Sequence, residues 1–308
     1  MPGKFLISVI GPTAIGKTDL AIFLARHYDT EILSADSRQF YKEMNIGTAV
    51  PGKTELGMVR HHFVQHKSIF EPYSVGAYER DAVARLDHLF SDRNIVVLAG
   101  GSGLYVDAVC KGLDNFPPVS REIRSELRAA LEHQGIESLQ DRLKTLDPVQ
   151  YDRIDLSNPH RLMRALEICI GTGKPYSGFL EQGKRKRSFR TIFIGLSADR
   201  ETLYNRINER VHKMMEDGLL EEAKKLYGHR DLNALQTVGY KELFRYFDGE
   251  YSLEEAVRQI KKNTRRFAKR QLTWFRKNTD IHWVSHSEPV PAAIEAIDKY
   301  LIGACNEN

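Results

Sequence analysis

The chain has 308 residues, 42% hydrophobic and 28% charged, a balance that suits a globular protein with a full core. No run of about 18 apolar residues occurs and the first strand-like segment starts almost at the N-terminus, so neither a membrane span nor a signal peptide is expected. The formal net charge is a mildly basic +4, and the 3 cysteines (Cys110, Cys169, Cys305) lie far apart with no C-x-x-C pair, which points to inert thiols and the cytoplasm.

In chain order, the apolar run Phe5–Ile10 leads into Gly11-Pro12-Thr13-Ala14-Ile15-Gly16-Lys17-Thr18 and then a segment of helical spacing from Asp19. Strand, G-x-x-x-x-G-K-[ST] loop and helix together make a phosphate cradle. Inward-pointing amides and the helix N-terminus attract the anion, the lysine meets phosphate oxygens, and the hydroxyl of Thr18 can ligate Mg²⁺. A short strand over residues 31–35 ends in Asp36-Ser37-Arg38-Gln39. A carboxylate there lies where open α/β sheets place ligands, and a helix-capping or turn role is the alternative. Residues 42–78 read as irregular, with His61-His62 structural or site-lining rather than metal-binding. A helix is expected over 78–90 and a buried strand over 95–99, ending in Gly100-Gly101-Ser102-Gly103-Leu104-Tyr105. A P-loop hydrolase commonly carries a Mg²⁺-holding Asp at that strand end. Glycines stand there instead, which argues against a motor or switch NTPase and suggests close approach of a ligand to the backbone.

The pattern changes at Phe116-Pro117-Pro118, and residues 120–173 are helical throughout. Ile123, Leu127 and Leu131 recur every four residues between a Ser120 cap and a Gly135 stop. Leu139, Leu143 and Leu146 mark a second helix, and Asn158-Pro159 opens a third that turns Leu162, Leu166 and Cys169 inward and His160, Arg161 and Arg164 elsewhere. Strand character returns over 191–196. The expected fold is α/β, a P-loop NTPase-like parallel-sheet core (1–117 and 190–308) interrupted by an all-helical insertion domain (118–189).

Basic residues cluster in Lys184-Arg185-Lys186-Arg187 and in Lys261, Lys262, Arg265, Arg266, Lys269, Arg270, Arg276 and Lys277 of one expected helix. That helix starts at Leu253, with Leu253, Ala256 or Val257, Ile260, Thr264, Phe267, Gln271 and Trp274 as its core stripe. A charged helical region over 200–227 carries Arg206 and Arg210 one turn apart, and a short helix over 294–301 ends the chain. Two basic blocks beside a phosphate loop favour a polyanionic partner. These features leave open a small-molecule kinase, a nucleic-acid-stimulated NTPase and a transferase with a diphosphate leaving group.

Gly11 to Thr18, Asp36-Ser37-Arg38-Gln39, Gly100 to Tyr105, Asn158-Pro159-His160-Arg161-Leu162-Met163-Arg164, Val238-Gly239-Tyr240-Lys241-Glu242 and Arg270-Gln271-Leu272-Thr273-Trp274-Phe275-Arg276 occur in this order. Together they resemble the bacterial tRNA dimethylallyltransferases, over nearly the whole chain. The resemblance implies transfer of a dimethylallyl group from dimethylallyl diphosphate to the exocyclic amine of adenosine at tRNA position 37. It implies Asp36 as general base, Ser102 holding the amine, and a Mg²⁺ ion near Thr18. Gly11, Pro12, Thr13, Ala14, Ile15, Gly16, Lys17, Thr18 and Arg210, with Arg206 beside it, would bind diphosphate. The tRNA contacts it implies are Asp36, Ser37, Arg38, Gln39, Ser102, Arg124, His160, Arg161, Leu162, Met163 and Arg164. They continue through Gln236, Thr237, Val238, Gly239, Tyr240 and Lys241 to Lys269, Arg270, Gln271, Leu272, Thr273, Trp274, Phe275 and Arg276. A cytoplasmic monomer gripping the anticodon stem-loop with its helical insertion is the expectation. A kinase, or transfer to free adenine nucleotides, is the alternative. The chain departs from the family pattern at Ile15 (commonly Ser), Ser102 (commonly Thr), His160 (often Gln) and His212 (commonly Asp).

Overall fold

A computed structural model of the chain describes residues 3–114, 116–180 and 186–306. Lys184, Arg185 and the Cys305 side chain lie outside the described set. The strands are β1 (Phe5–Ile10), β2 (Ile32–Ser34), β3 (His61–His62), β4 (Ile95–Gly100), β5 (Arg190–Ser197) and β6 (Ile281–Ser285). The helices are α1 (Lys17–His27), α2 (Lys53–Met58), α3 (Val75–Leu89), α4 (Gly103–Lys111), α5 (Arg121–Leu146), α6 (Pro148–Arg153) and α7 (Pro159–Thr172). They continue with α8 (Tyr176–Leu180), α9 (Arg200–Glu216), α10 (Leu219–Leu226), α11 (Tyr240–Phe247), α12 (Leu253–Phe275) and α13 (Pro289–Asn306). No described helix is long and apolar enough to cross a membrane.

The strands form one 6-stranded sheet in the order β3-β2-β4-β1-β5-β6, with every pairing parallel. β1 is buried along its whole length because a strand flanks each edge and helices cover both faces. Its side chains alternate: Leu6 and Ile10 enter one core layer with Tyr78, Leu98 and Tyr240, and Ile7 and Val9 enter the other with Leu20, Leu24 and Ile194. β3 and β6, both edge strands, had no signal in the sequence, being two residues long and alternately exposed, respectively. The terminal helix is also longer than its apolar stretch suggested, and Gly218 at φ 101° divides the charged region into α9 and α10.

The chain divides into two compact units, Met1–Cys110 with Arg187–Asn308, and Lys111–Lys186. The second has its own core of Leu127, Leu139, Leu143, Leu162, Met163, Ala165, Leu166 and Cys169. Ser120 caps α5, and Gly135, non-helical at φ 79° and ψ 179°, breaks it into two helical stretches as its sequence suggests, with Leu127 before the break and Leu139 after it both in that core. Asn158 accepts from the Arg161 amide, Pro159 opens α7, and Gly173 closes it at φ 67°.

One residue of the first basic block departs from its sequence reading. Arg187 turns inward, where its Nη2 donates to Glu79 Oε1 at 2.5 Å and its Nε to the Val109 carbonyl at 2.8 Å. It ties the end of α4 to the point where the chain re-enters the first unit, and is no part of a cationic surface. Cys110 and Cys169 are both buried.

Candidate active site

Register places the site. Ile10 lies beside Gly100 of β4 and Gly195 of β5, and Ser34 of β2 beside Ala99. The segments following β1, β2 and β4 therefore leave the sheet side by side at its C-terminal edge, where parallel α/β folds bind ligands.

The loop after β1 wraps a cleft of about 370 Å³ lined by Thr13 to Asp19, Asp36, Gln39, Arg206, Arg210 and Lys213. Gly16 takes φ 103° and gives α1 no side-chain cap, so the first-turn amides of α1 are left for an anion. Lys17 Nζ donates to the Pro12 carbonyl at 2.7 Å. Its pKa falls from 10.5 to about 8 because burial disfavours the ammonium; Asp36 opposes the shift and Arg210 adds to it. From α9, Arg206 Nε donates to the Ala14 carbonyl at 2.7 Å and Arg210 Nη1 to Thr13 Oγ1 at 3.1 Å. The arginines one turn apart therefore face the phosphate loop, not solvent. Burial likewise lowers the pKa of Arg210, with Asp36 opposing.

Asp36 makes a turn and also faces the cleft. Its Oδ1 accepts the Arg38 amide at 3.1 Å, an Asx turn, while the residue lines the cleft. A second cleft of about 580 Å³ adjoins the first, lined among others by Ser37, Arg38, Gly101 to Tyr105, Gln236 to Gly239, Phe267, Arg270 and Trp274. Thr13, Asp36, Thr48, Ala49 and Arg210 line both clefts. Ser102 meets Ser37 there: its Oγ accepts the Ser37 amide at 3.1 Å and lies 3.1 Å from the Ser37 hydroxyl.

The remaining site residues fall into three groups. Arg38 donates to the carbonyls of Asn233 and Ala234, both at 2.9 Å, and Gln39 donates to the Ala49 carbonyl at 2.9 Å, so both shape the clefts' walls. Gln236, Lys241, Lys269, Arg270, Thr273, Trp274 and Arg276 are exposed, as are Arg124, His160, Arg161 and Arg164 of the helical unit. Arg124 and Arg164 share the buried Glu167, at 3.3 Å each. The side chains of Leu162 and Met163, expected at the RNA, pack in the helical core instead, and those of Tyr240 and Phe275 in the sheet core. Gln271 is likewise buried.

Two features were hidden in the sequence. Glu222 of α10 accepts the Ile46 and Gly47 amides at 2.8 and 2.9 Å and the Tyr240 hydroxyl at 2.6 Å, holding the wall segment 45–49. An acidic residue in a charged helix carries no mark of such a task. The glycine turn after β4 is also filled from within. A Cβ would stand 2.5 Å from the Ala35 carbonyl oxygen at Gly100, 2.3 Å from Gln271 Nε2 at Gly101 and 2.3 Å from Trp274 Cδ1 at Gly103. These glycines admit close protein neighbours, while Gly100 also lines the first cleft and Gly101 and Gly103 the second.

A capless helix start, an invading pair of arginines and a strand-end carboxylate on an all-parallel sheet define a P-loop α/β phosphate-binding protein. Within that class, the family model described as IPP transferase matches residues 39–278, and the chain belongs to this family. It is 60% identical over 285 residues to a tRNA dimethylallyltransferase of Christiangramia forsetii, covering 92% of this chain and 94% of that one. It is 56% identical over 290 residues to a tRNA dimethylallyltransferase of Flavobacterium johnsoniae, with the same shares of 92% and 94%. Among solved structures, the tRNA isopentenylpyrophosphate transferase of Bacillus halodurans matches with a TM-score of 0.71 at 37% identity, over 99% of this chain and 97% of that one. A eukaryotic dimethylallyltransferase described as acting on tRNA matches with a TM-score of 0.80 at 26% identity, over 92% of this chain and 74% of that one.

Proposed function

We propose that this chain is a tRNA dimethylallyltransferase, moving the dimethylallyl group of dimethylallyl diphosphate to the exocyclic amine of adenosine 37 and releasing diphosphate. The observation that carries the reading is the pair of clefts joined at Thr13, Asp36 and Arg210. One has the polarity for a diphosphate, the other the size and partly apolar lining for an unstacked base.

In the first cleft the α1 amides, Lys17, Arg206 and Arg210 bind the diphosphate and stabilise the charge it gains as it departs. A Mg²⁺ ion fits the donor set. Thr18 offers a hard oxygen at the cleft, and among the described residues no group of three or more His, Cys, Asp or Glu could cage a metal alone, as suits an ion that keeps water and phosphate ligands. Thr18 would hold it, and it would neutralise charge on the leaving group.

Adenine leaves its stack to enter the second cleft. The exocyclic nitrogen forms its bond to the allylic carbon as the carbon–oxygen bond breaks. The diphosphate takes that electron pair, and Asp36 takes the proton released from nitrogen. Ser102 holds the amine once the Ser37 hydroxyl yields its place. The exposed Arg124, His160, Arg161 and Arg164 make the helical unit a second set of contacts for the anticodon stem-loop. The reading includes a monomer working in the cytoplasm.

The test incubates the protein with labelled dimethylallyl diphosphate, Mg²⁺ and unmodified tRNA, with ATP and AMP as separate controls. Label in tRNA is expected; label in AMP alone would overturn the acceptor. Asp36→Asn is expected to slow transfer by about 10²- to 10⁴-fold while tRNA affinity stays within a few-fold. Full activity would remove Asp36 as the base.

A further inference from the structure

We infer that Gln271 is a positioning residue for the transfer: from α12, its carboxamide fixes the phosphate loop to the Gly101–Ser102 turn. The inference rests on the reading that diphosphate and acceptor occupy the two clefts.

Gln271 Oε1 accepts the Thr13 amide at 2.9 Å, and its Nε2 donates to the Gly101 carbonyl at 2.8 Å. The two partners have opposite polarity, so one amide orientation satisfies both and the flipped one satisfies neither. Each partner adjoins chemistry. Thr13 receives Arg210 on its hydroxyl and lines both clefts, and Gly101 precedes the Ser102 that meets Ser37. Gln271 therefore spans the loop that cradles the leaving group and the turn that presents the acceptor's hydroxyl partner.

The span is rigid. Gln271 is 6% exposed, and Gly101 has no room for a Cβ beneath its amide. One turn along α12, Trp274 Nε1 donates to Asp107 Oδ2 at 2.7 Å and its ring lies over Gly103. α12 is thus seated on the turn at two points. The sequence placed Gln271 among the tRNA contacts, yet both ends of its amide are already engaged by backbone. An apolar side chain of equal length would fill the space and leave the Thr13 N–H and Gly101 C=O unpaired, a buried loss that protein repacking cannot restore.

The experiment compares Gln271→Met and Gln271→Glu with the wild type. Inorganic pyrophosphate is the calorimetric probe of the first cleft, tRNA binding is measured separately, and kcat at saturating substrates. For Gln271→Met, pyrophosphate affinity and kcat each fall about tenfold, the equivalent of one buried hydrogen bond, while tRNA affinity stays within about twofold. Wild-type pyrophosphate affinity and kcat in Gln271→Met, or a loss confined to tRNA binding, would overturn the inference. Should Gln271→Met fail to fold, Gln271→Glu decides. A protonated carboxyl offers the acceptor and donor of the amide, and a carboxylate offers no donor. Its activity relative to wild type is therefore expected to rise as pH falls, and a flat ratio would overturn the inference. The other charged and titratable groups at these clefts, Lys17, Asp19, Asp36, Arg38, Glu55, His61, Arg206, Glu209, Arg210, Lys213, Lys241 and Arg270, are common to both proteins, so the ratio reports what the new carboxyl adds. Wild-type protein that binds no pyrophosphate would instead sink the proposed function.

Discussion

Lys17 holds its proton less firmly in the site than in water. Its ammonium rests on the Pro12 carbonyl with a pKa near 8, so the ligand-free protein binds fewer protons than the unfolded chain between pH 8 and 10.5. The sign follows: stability of the ligand-free protein rises with pH across that window, because deprotonation relieves a buried charge. A diphosphate reverses the preference by favouring the ammonium. Pyrophosphate affinity is expected to fall as pH rises through about 8, and the fall should be smaller in Lys17→Arg, whose guanidinium stays charged. Isothermal titration of both proteins across that range, with the ligand's own titration common to each, checks it. At this scale the cleft's lining was legible at Lys17 and Asp36, because a loop after one parallel strand and a carboxylate after its neighbour meet at the sheet's C-terminal edge. Gln271 was not. An amide between Arg270 and Leu272 suits RNA as well as backbone, and nothing local reveals a partner 258 residues away.

At the scale of elements, the close fit of the β4 turn governs what can vary. At Gly100 an added Cβ would meet main chain, the Ala35 carbonyl, which cannot swing aside. Gly100→Ala should cost about 1–3 kcal/mol of stability, read by urea unfolding, with activity falling in step as β2 and β4 part beside Asp36. The same turn explains a misread helix. The stripe expected on α12 included Phe267 and Trp274, which are 37% and 38% exposed, whereas Ala268 and Phe275 are buried. α12 packs on α11 and α9 as well as on the glycine turn. A helix buried on more than one side gives no single clean period, so the expected stripe is one residue off at Phe267 and Trp274 but holds at the buried Gln271 between them. The strands β1 and β4 were legible for the opposite reason, since central parallel strands are apolar on both faces.

Across the whole molecule, charge is distributed rather than concentrated. Arg187, Arg206 and Arg210 are spent internally, while Lys262, Arg266, Lys269 and Arg270 remain exposed along α12. Replacing Arg266, Lys269 and Arg270 by Gln should weaken tRNA binding at low salt and flatten the dependence of log affinity on log salt by roughly 2, at about 0.7–0.9 for each phosphate no longer neutralised. Filter binding across a salt series measures it, and an unchanged slope would leave that face to solvent. The helical unit was foreshadowed by successive helical periods between Ser120 and Gly173, and its proposed RNA contacts rest on four exposed basic residues rather than on its core.

The bond between Thr13 and Gln271 also has a bearing on synthesis. The phosphate loop leaves the ribosome well before the residue that seats it, since Thr13 precedes Gln271 by 258 residues. β1, moreover, lies between β4 and β5 and lacks its second neighbour until the helical unit has been made. A growing chain thus displays the loop without the means to hold it in shape. Chains stalled before residue 271 should therefore bind pyrophosphate at least about tenfold more weakly than the whole chain.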